Sequence, residues 1–182
     1  NLVVWLRESN FIEVLPITRS TSDQDFAEKL STADFVFHLA GANRPTEDGE
    51  FMRVNRDMTE RIVRTLEETQ NFPPVLLSSS TQADTASSYG VSKLAAEEIL
   101  KSFSERTGST IHIYRLPNVF GKWSRPHYNS VVATFCYNAS VSAENVIHDA
   151  LAEITLCYID DLCSEWLSLL KDGGKGGFHE VK

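Results

Sequence analysis

Residues 75–107 read VLLSSSTQADTASSYGVSKLAAEEILKSFSERT, and this stretch decides the fold. Val75, Leu76 and Leu77 form a short, continuous apolar run, the pattern of a strand covered on both faces in a parallel sheet. It runs out into Ser78, Ser79, Ser80 and Thr81, which places hydroxyls at the carboxyl end of a strand, where open α/β sheets hold ligands. Residues 88–107 then read as one long helix closed by Gly108. A strand followed by a covering helix is the repeating unit of the α/β class.

The alternation extends in both directions. Upstream, residues 1–8 read as the end of a helix, 11–18 (FIEVLPIT) as a strand, 25–32 as a short helix and 35–39 as another strand. Phe51, Val54, Met58, Ile62, Val63 and Leu66 recur at three- and four-residue steps, which predicts an amphipathic helix ended by Pro73 and Pro74. Downstream, 111–115 predicts a strand. Past Pro117 comes a loop rich in Asn, Gly, Pro and aromatic residues, then a helical run at 131–137 and an ambiguous stretch at 140–152. A strand at 153–159 and a helix at 161–170 follow; DGGKGG (172–177) is a turn or linker and 178–181 a candidate last strand.

Composition narrows the function. The 182 residues suit one well-cored domain, and 42% hydrophobic with 23% charged residues is the balance of a folding globular chain. Seventeen Lys and Arg against 25 Asp and Glu leave a net charge of -8, which opposes phosphate-backbone binding and argues against a nucleic-acid partner. The longest apolar runs, such as 2–6, fall far short of the roughly 20 residues that cross a bilayer, so no membrane span is expected. Nor does the start carry the pattern of a secretory signal. Cys136, Cys157 and Cys163 lack metal-type pairing, so no metal is expected and reduced thiols in a cytoplasmic protein are the simplest account.

Chemistry is concentrated in Tyr89-Gly90-Val91-Ser92-Lys93. The Tyr and Lys stand four apart at a helix start and share one face. An ammonium beside a phenol favours the phenolate and brings the pKa from near 10 toward the working range, which makes Tyr89 a candidate acid or base. A second candidate is Phe37-His38-Leu39-Ala40-Gly41-Ala42-Asn43, a strand opening into small residues against which a flat or phosphorylated ligand can lie. Asn55 is placed to pin that loop through its backbone, or else is an exposed helical Asn. His38, in an apolar strand, reads as a satisfied core residue.

Taken in order, HLAG, the strand-end serines, SYGVSK, Arg115-Leu116-Pro117-Asn118-Val119-Phe120-Gly121 and Tyr158-Ile159-Asp160-Asp161-Leu162 resemble the extended short-chain dehydrogenase/reductase superfamily, the NAD-dependent epimerases and dehydratases of sugar nucleotides. Within it, HLAGANRP, LLSSSTQA and PNVFGKWSRPHYNSVVATFCYN resemble the capsular-polysaccharide reductases of the UDP-N-acetyl-L-fucosamine pathway. The resemblance implies a Rossmann-like doubly wound parallel sheet over 1–172, with substrate-binding elements at about 117–160, and a linker or last strand at 173–182. It implies NADPH-dependent reduction of a 4-keto UDP-sugar in surface-polysaccharide biosynthesis, and places a separate cupin domain after Lys182.

Carried over by residue, Tyr89 becomes the proton donor, Lys93 its activator and a holder of the nicotinamide ribose, and Ser80 a second hydrogen-bond donor to the sugar carbonyl. Leu39, Ala40, Gly41, Asn43, Ser78 and Asn118 fall along the cofactor. Asn118, Arg125, His127, Tyr128 and Asn129 fall along the substrate. Asp160 and Asp161 are expected to cap a strand-to-helix turn. Arg19, between Thr18 and Ser20, suits the 2′-phosphate of NADP(H) over NAD(H). Apolar stripes at 55–66 and 94–103 suit either a homodimer face or core packing.

Two other readings stay open: an NAD-dependent epimerase or dehydratase with the same Tyr-Lys pair, and a non-catalytic interaction module that retained the fold. The residues contain no G-x-x-G-x-x-G and no strand before the first helix, so the first Rossmann strand and its phosphate loop are expected upstream, roughly a dozen or more residues. The 182 residues alone are accordingly expected to bind NADP(H) poorly.

Overall fold

A computed structural model describes all residues except 10, 11, 46, 48, 148 and 182. The elements are α1 (Leu2–Glu8), α2 (Asp23–Ser31), β1 (Val36–His38), α3 (Met58–Glu68), β2 (Val75–Ser80), α4 (Ser88–Thr107), β3 (Ile111–Leu116), β4 (Asn118–Phe120), α5 (Val131–Ser140), β5 (Leu156–Tyr158), α6 (Ile159–Asp172) and β6 (Gly177–Glu180). A π-helical turn, Met52–Asp57, leads into α3, and a 3-10 turn, Thr81–Asp84, follows β2. The chain divides into two compact units, one formed by 15–116 and 174–181, the other by 1–14 and 117–173.

The first unit carries the parallel sheet, in the order β1-β2-β3-β6. Register pairs Val36 with Val75, Val75 with Ile111 and Ile113 with Phe178, so every neighbouring pair runs parallel. Parallel neighbours require crossovers, and the helical patterns of the sequence supply them. Val36, Val75 and Leu77 face Phe26 and Leu30 of α2, Ile62, Val63 and Leu66 of α3, and Ala96, Leu100 and Phe103 of α4, forming the core. Burial of side chains of this size supplies about 1.5 to 3 kcal/mol each, the main source of the unit's stability.

Helix α4 spans residues 88–107 as the sequence predicts. Ser87 accepts from the Gly90 amide at 3.0 Å, and Gly108 closes the other end with φ 75°. The strand expected over 11–18 does not form: residues 12–18 are irregular, and Phe11 lies outside the described residues. A strand exists only through ladder bonds to a neighbour, and β1 ends the sheet with no further strand beside it among the described residues.

The second unit holds α1, α5, α6 and a two-stranded parallel sheet, β4-β5. The strand expected over 153–159 is confined to Leu156–Tyr158, paired residue for residue with Asn118–Phe120. Asp160 and Asp161 do not cap α6. They lie in its first turn, where carboxylates oppose the positive helix end, and Asp160 Oδ2 accepts from Tyr158 Oη and from Lys122 Nζ, each at 3.0 Å.

Candidate functional site

The carboxyl ends of β1 and β2 and the first turns of α4 meet in the first unit. Gly90 makes the approach possible. A Cβ there would collide with the Gln82 carbonyl and come within 2.7 Å of the Thr85 carbonyl, so only glycine lets α4 start directly against the 3-10 turn. That contact sets Tyr89, half-buried, beside Ser80, with which its hydroxyl hydrogen-bonds, and its ring 5.5 Å from that of Phe51.

One turn on, Lys93 is buried, with 5% of its surface exposed, and donates from Nζ to the Ser78 carbonyl at 2.9 Å. Its ammonium stands 5.9 Å from the centre of the Tyr89 ring. The two side chains therefore share one face, as their spacing predicts. Electrostatics depart from the expectation that Lys93 makes the phenol acidic. Burial raises the Tyr89 pKa, opposed by the Ser80 hydrogen bond. It is the lysine that moves most, drawn down to about 8 by burial, with the Glu97 carboxylate resisting.

Loop 39–43 leaves β1 and crosses this pair. Asn55, in the π-helical turn and 1% exposed, fastens it: the Ala42 amide donates to Oδ1 at 2.9 Å, and Nδ2 donates to the Ala42 carbonyl at 3.2 Å and to Ser92 Oγ at 2.8 Å. Gly41 packs closely beneath it: a Cβ would stand 3.0 Å from both Asn55 Oδ1 and Lys93 Nζ, so one of those side chains would have to shift. Leu39, Ala40, Gly41 and Asn43 line the exposed side of this loop.

His38 sits under it, buried, with Nε2 2.8 Å from Thr59 Oγ1. The single Thr59 hydroxyl proton goes to the Asn55 carbonyl at 2.7 Å, so the His38 Nε2–H is the donor. Burial and the Lys93 charge push its pKa down to about 3, keeping the ring neutral.

The other sequence candidates lie elsewhere. Arg19 is exposed on a turn held by the Thr18, Ser20 and Thr21 hydroxyls, ahead of α2 and not at a strand end. Asn118, Arg125, His127, Tyr128 and Asn129 belong to the second unit. Asn118 opens β4 with an exposed side chain. Arg125 lies over the Tyr128 ring at 5.6 Å, and His127 meets the Tyr137 ring edge-on at 5.2 Å, on the turn ahead of α5. Among the described residues no group of three His, Cys, Asp or Glu is placed to hold a metal, and no helix is long and apolar enough to cross a membrane.

Glu97 escapes sequence reasoning. Two glutamates stand side by side at 97 and 98, and only the first is buried. Its one signal is the four-residue step from Tyr89 to Lys93 to Glu97, which keeps it on the inward face with Ala96 and Leu100.

A parallel α/β sheet with a Tyr-Lys pair at the carboxyl ends of its strands defines a nucleotide-dependent enzyme class. The NAD dependent epimerase/dehydratase family model matches residues 4–179, and the chain belongs to that family. It is 44% identical over 170 residues to the UDP-2-acetamido-2,6-beta-L-arabino-hexul-4-ose reductase of Pseudomonas aeruginosa, covering 93% of this chain and 46% of that protein. The capsular polysaccharide assembling protein CapF from Staphylococcus aureus superposes with a TM-score of 0.85 at 38% identity, over 100% of this chain and 50% of that one. The UDP-N-acetylglucosamine 4-epimerase from Bacillus cereus shares the fold, with a TM-score of 0.75 at 21% identity, over 99% of this chain and 70% of its own. The chain spans about half the length of the first two, at 46% and 50%.

Proposed function

We propose that this chain forms the reductase part of an NADPH-dependent enzyme that reduces a 4-keto UDP-linked N-acetyl deoxy-hexosulose in cytoplasmic surface-polysaccharide biosynthesis. The observation that carries the reading is the Ser80–Tyr89–Lys93 constellation, together with 44% identity to a reductase of such a sugar nucleotide.

The residues fit the nicotinamide-ribose end of a dinucleotide. Lys93 commits one N–H to Ser78 and keeps two further donors for ribose hydroxyls. Residues 39–41 are exposed and offer backbone to a flat ring. When bound, NADPH supplies a hydride to C4 of the sugar. The carbonyl π electrons then move onto oxygen, and the Tyr89 hydroxyl gives that oxygen its proton. A phenol whose pKa is raised by burial holds its proton throughout the neutral range, which suits the acid role that reduction requires. Ser80 donates a second hydrogen bond to the developing alkoxide, and the Lys93 charge steadies the phenolate left behind.

We assign sugar-nucleotide binding to Asn118, Arg125, His127, Tyr128 and Asn129, and β6 (Gly177–Glu180) adds the strand beside β3. Arg19 with its flanking hydroxyls selects NADP(H). The test is NADPH oxidation by the full protein against UDP-2-acetamido-2,6-beta-L-arabino-hexul-4-ose. Tyr89→Phe is expected to lose about 10²- to 10⁴-fold in turnover while NADPH binding is retained. Tightly held NAD surviving purification, with sugar interconversion and no net NADPH consumption, replaces this reading with an epimerase.

A further inference from the structure

Glu97 is a carboxylate with 0% exposure, in a helix position where packing alone calls for an apolar residue such as its neighbours Ala96 and Leu100. A buried charge is unfavourable unless partners offset it, and here the partners are specific. Arg115 of β3 grips both oxygens, Nε to Oε1 at 3.0 Å and Nη2 to Oε2 at 2.8 Å. Ser79 of β2 donates its hydroxyl to the same Oε1 at 2.5 Å. Arg115 is itself fixed by Asp84 at 2.6 Å and lies over the Phe178 ring at 5.1 Å.

Ser79 stands between the two residues that the site uses. The Ser78 carbonyl accepts the Lys93 ammonium, and the Ser80 hydroxyl bonds Tyr89. Glu97 therefore fastens the middle of a three-serine strand end whose flanks hold the tyrosine and the lysine. It also lies one helical turn beyond Lys93, on the same face.

We propose that Glu97 is a positioning residue for the Tyr89–Lys93 pair: held by Arg115, its carboxylate ties the Ser78–Ser80 strand end to α4 and supplies the negative charge that keeps Lys93 an ammonium. The proposal rests on the reductase reading only in its turnover arm. The ionisable groups around Lys93 are Tyr89 and Glu97 on α4, His38 on β1, Arg115 on β3 and Asp84 on the 3-10 turn. His38 is neutral and the phenol protonated at pH 7, so they add no charge. Neutralising Glu97 removes an attractive partner from Lys93 and leaves the Arg115 cation less well balanced. Both changes favour the free amine.

Lys93 is titrated in the resting full protein by ¹⁵N-lysine NMR, with no substrate present. Glu97→Gln is expected to lower its midpoint by about one pH unit or more, while Glu97→Asp, which keeps the charge, stays near the parent. In the NADPH assay the alkaline limb of kcat/KM moves the same way, with about a fivefold or greater loss of kcat/KM at pH 8. An unchanged Lys93 midpoint in a folded Glu97→Gln protein overturns the proposal. Should that variant not fold, the doubly neutral Glu97→Gln/Arg115→Gln protein is compared with Arg115→Gln alone, and an equal Lys93 midpoint in those two overturns the proposal. A parent protein that turns over no substrate while its Lys93 midpoint falls on Glu97→Gln sinks the reductase reading and supports the role of Glu97.

Discussion

Burial draws the Lys93 ammonium down to about 8, so its charge is lost within a pH range that an assay reaches. The Tyr89 phenol moves the opposite way and stays protonated there. For reduction both groups must carry their protons. We therefore expect kcat/KM to be flat near neutrality and to fall above about pH 8 with the loss of one proton; a limb that starts only above pH 10 would assign the titration to the phenol instead. His38 gives the acid-side counterpart. Its folded pKa of about 3 lies far below the unfolded value near 6.5, so the unfolded chain takes up the proton first. The stability that it contributes is complete above about pH 6.5 and drains away as pH falls toward 3, by on the order of 1 kcal/mol per pH unit. Urea unfolding between pH 7 and 5 checks this: His38→Gln should flatten the slope by about one proton, and an identical slope would remove His38 from the account.

The π-helical turn at Met52–Asp57 shows what a single element contributes to the site. An extra residue in the turn brings Asn55 inward, where one side chain serves both the Ala42 backbone and Ser92 of α4. Asn55→Ala leaves buried backbone groups of the loop without partners, at a cost of about 1 to 3 kcal/mol. Hydrogen exchange at 41–43 should rise while the interior of α4 stays protected; equal protection in the two proteins would show the loop to be held by other contacts. The sequence discloses this region unevenly. The apolar run at 75–77, the strand pattern at 111–115 and the capped helix 88–107 are local signals, and they appear as read. The π turn is hidden, because Phe51, Val54 and Met58 keep ordinary helical spacing whether or not an extra residue is present. Glu97 and Glu98 are indistinguishable until the sheet defines an inside. The 11–18 pattern fails for the reciprocal reason, since its extended form depends on a neighbour that no local pattern can provide.

At the scale of the whole molecule, the sheet among the described residues ends at β1 on one side and at β6 on the other. The irregular residues ahead of α2 expose Leu15 at 39% and Ile17 at 38%. Edge backbone and exposed apolar side chains together favour pairing between copies, whereas the net charge of -8 opposes it. Salt screens the repulsion and leaves the apolar attraction intact, since the Debye length shrinks to about 3 Å at 1 M. The 182-residue polypeptide is therefore expected to self-associate with rising concentration, more strongly in high salt, in sedimentation velocity. Leu15→Lys with Ile17→Lys should suppress that association and leave the thermal midpoint nearly unchanged, because substitutions at exposed positions alter stability by no more than about 0.5 kcal/mol. A parent polypeptide that sediments as a monomer at both ionic strengths would show that the charge, and not the edge, governs its solution behaviour.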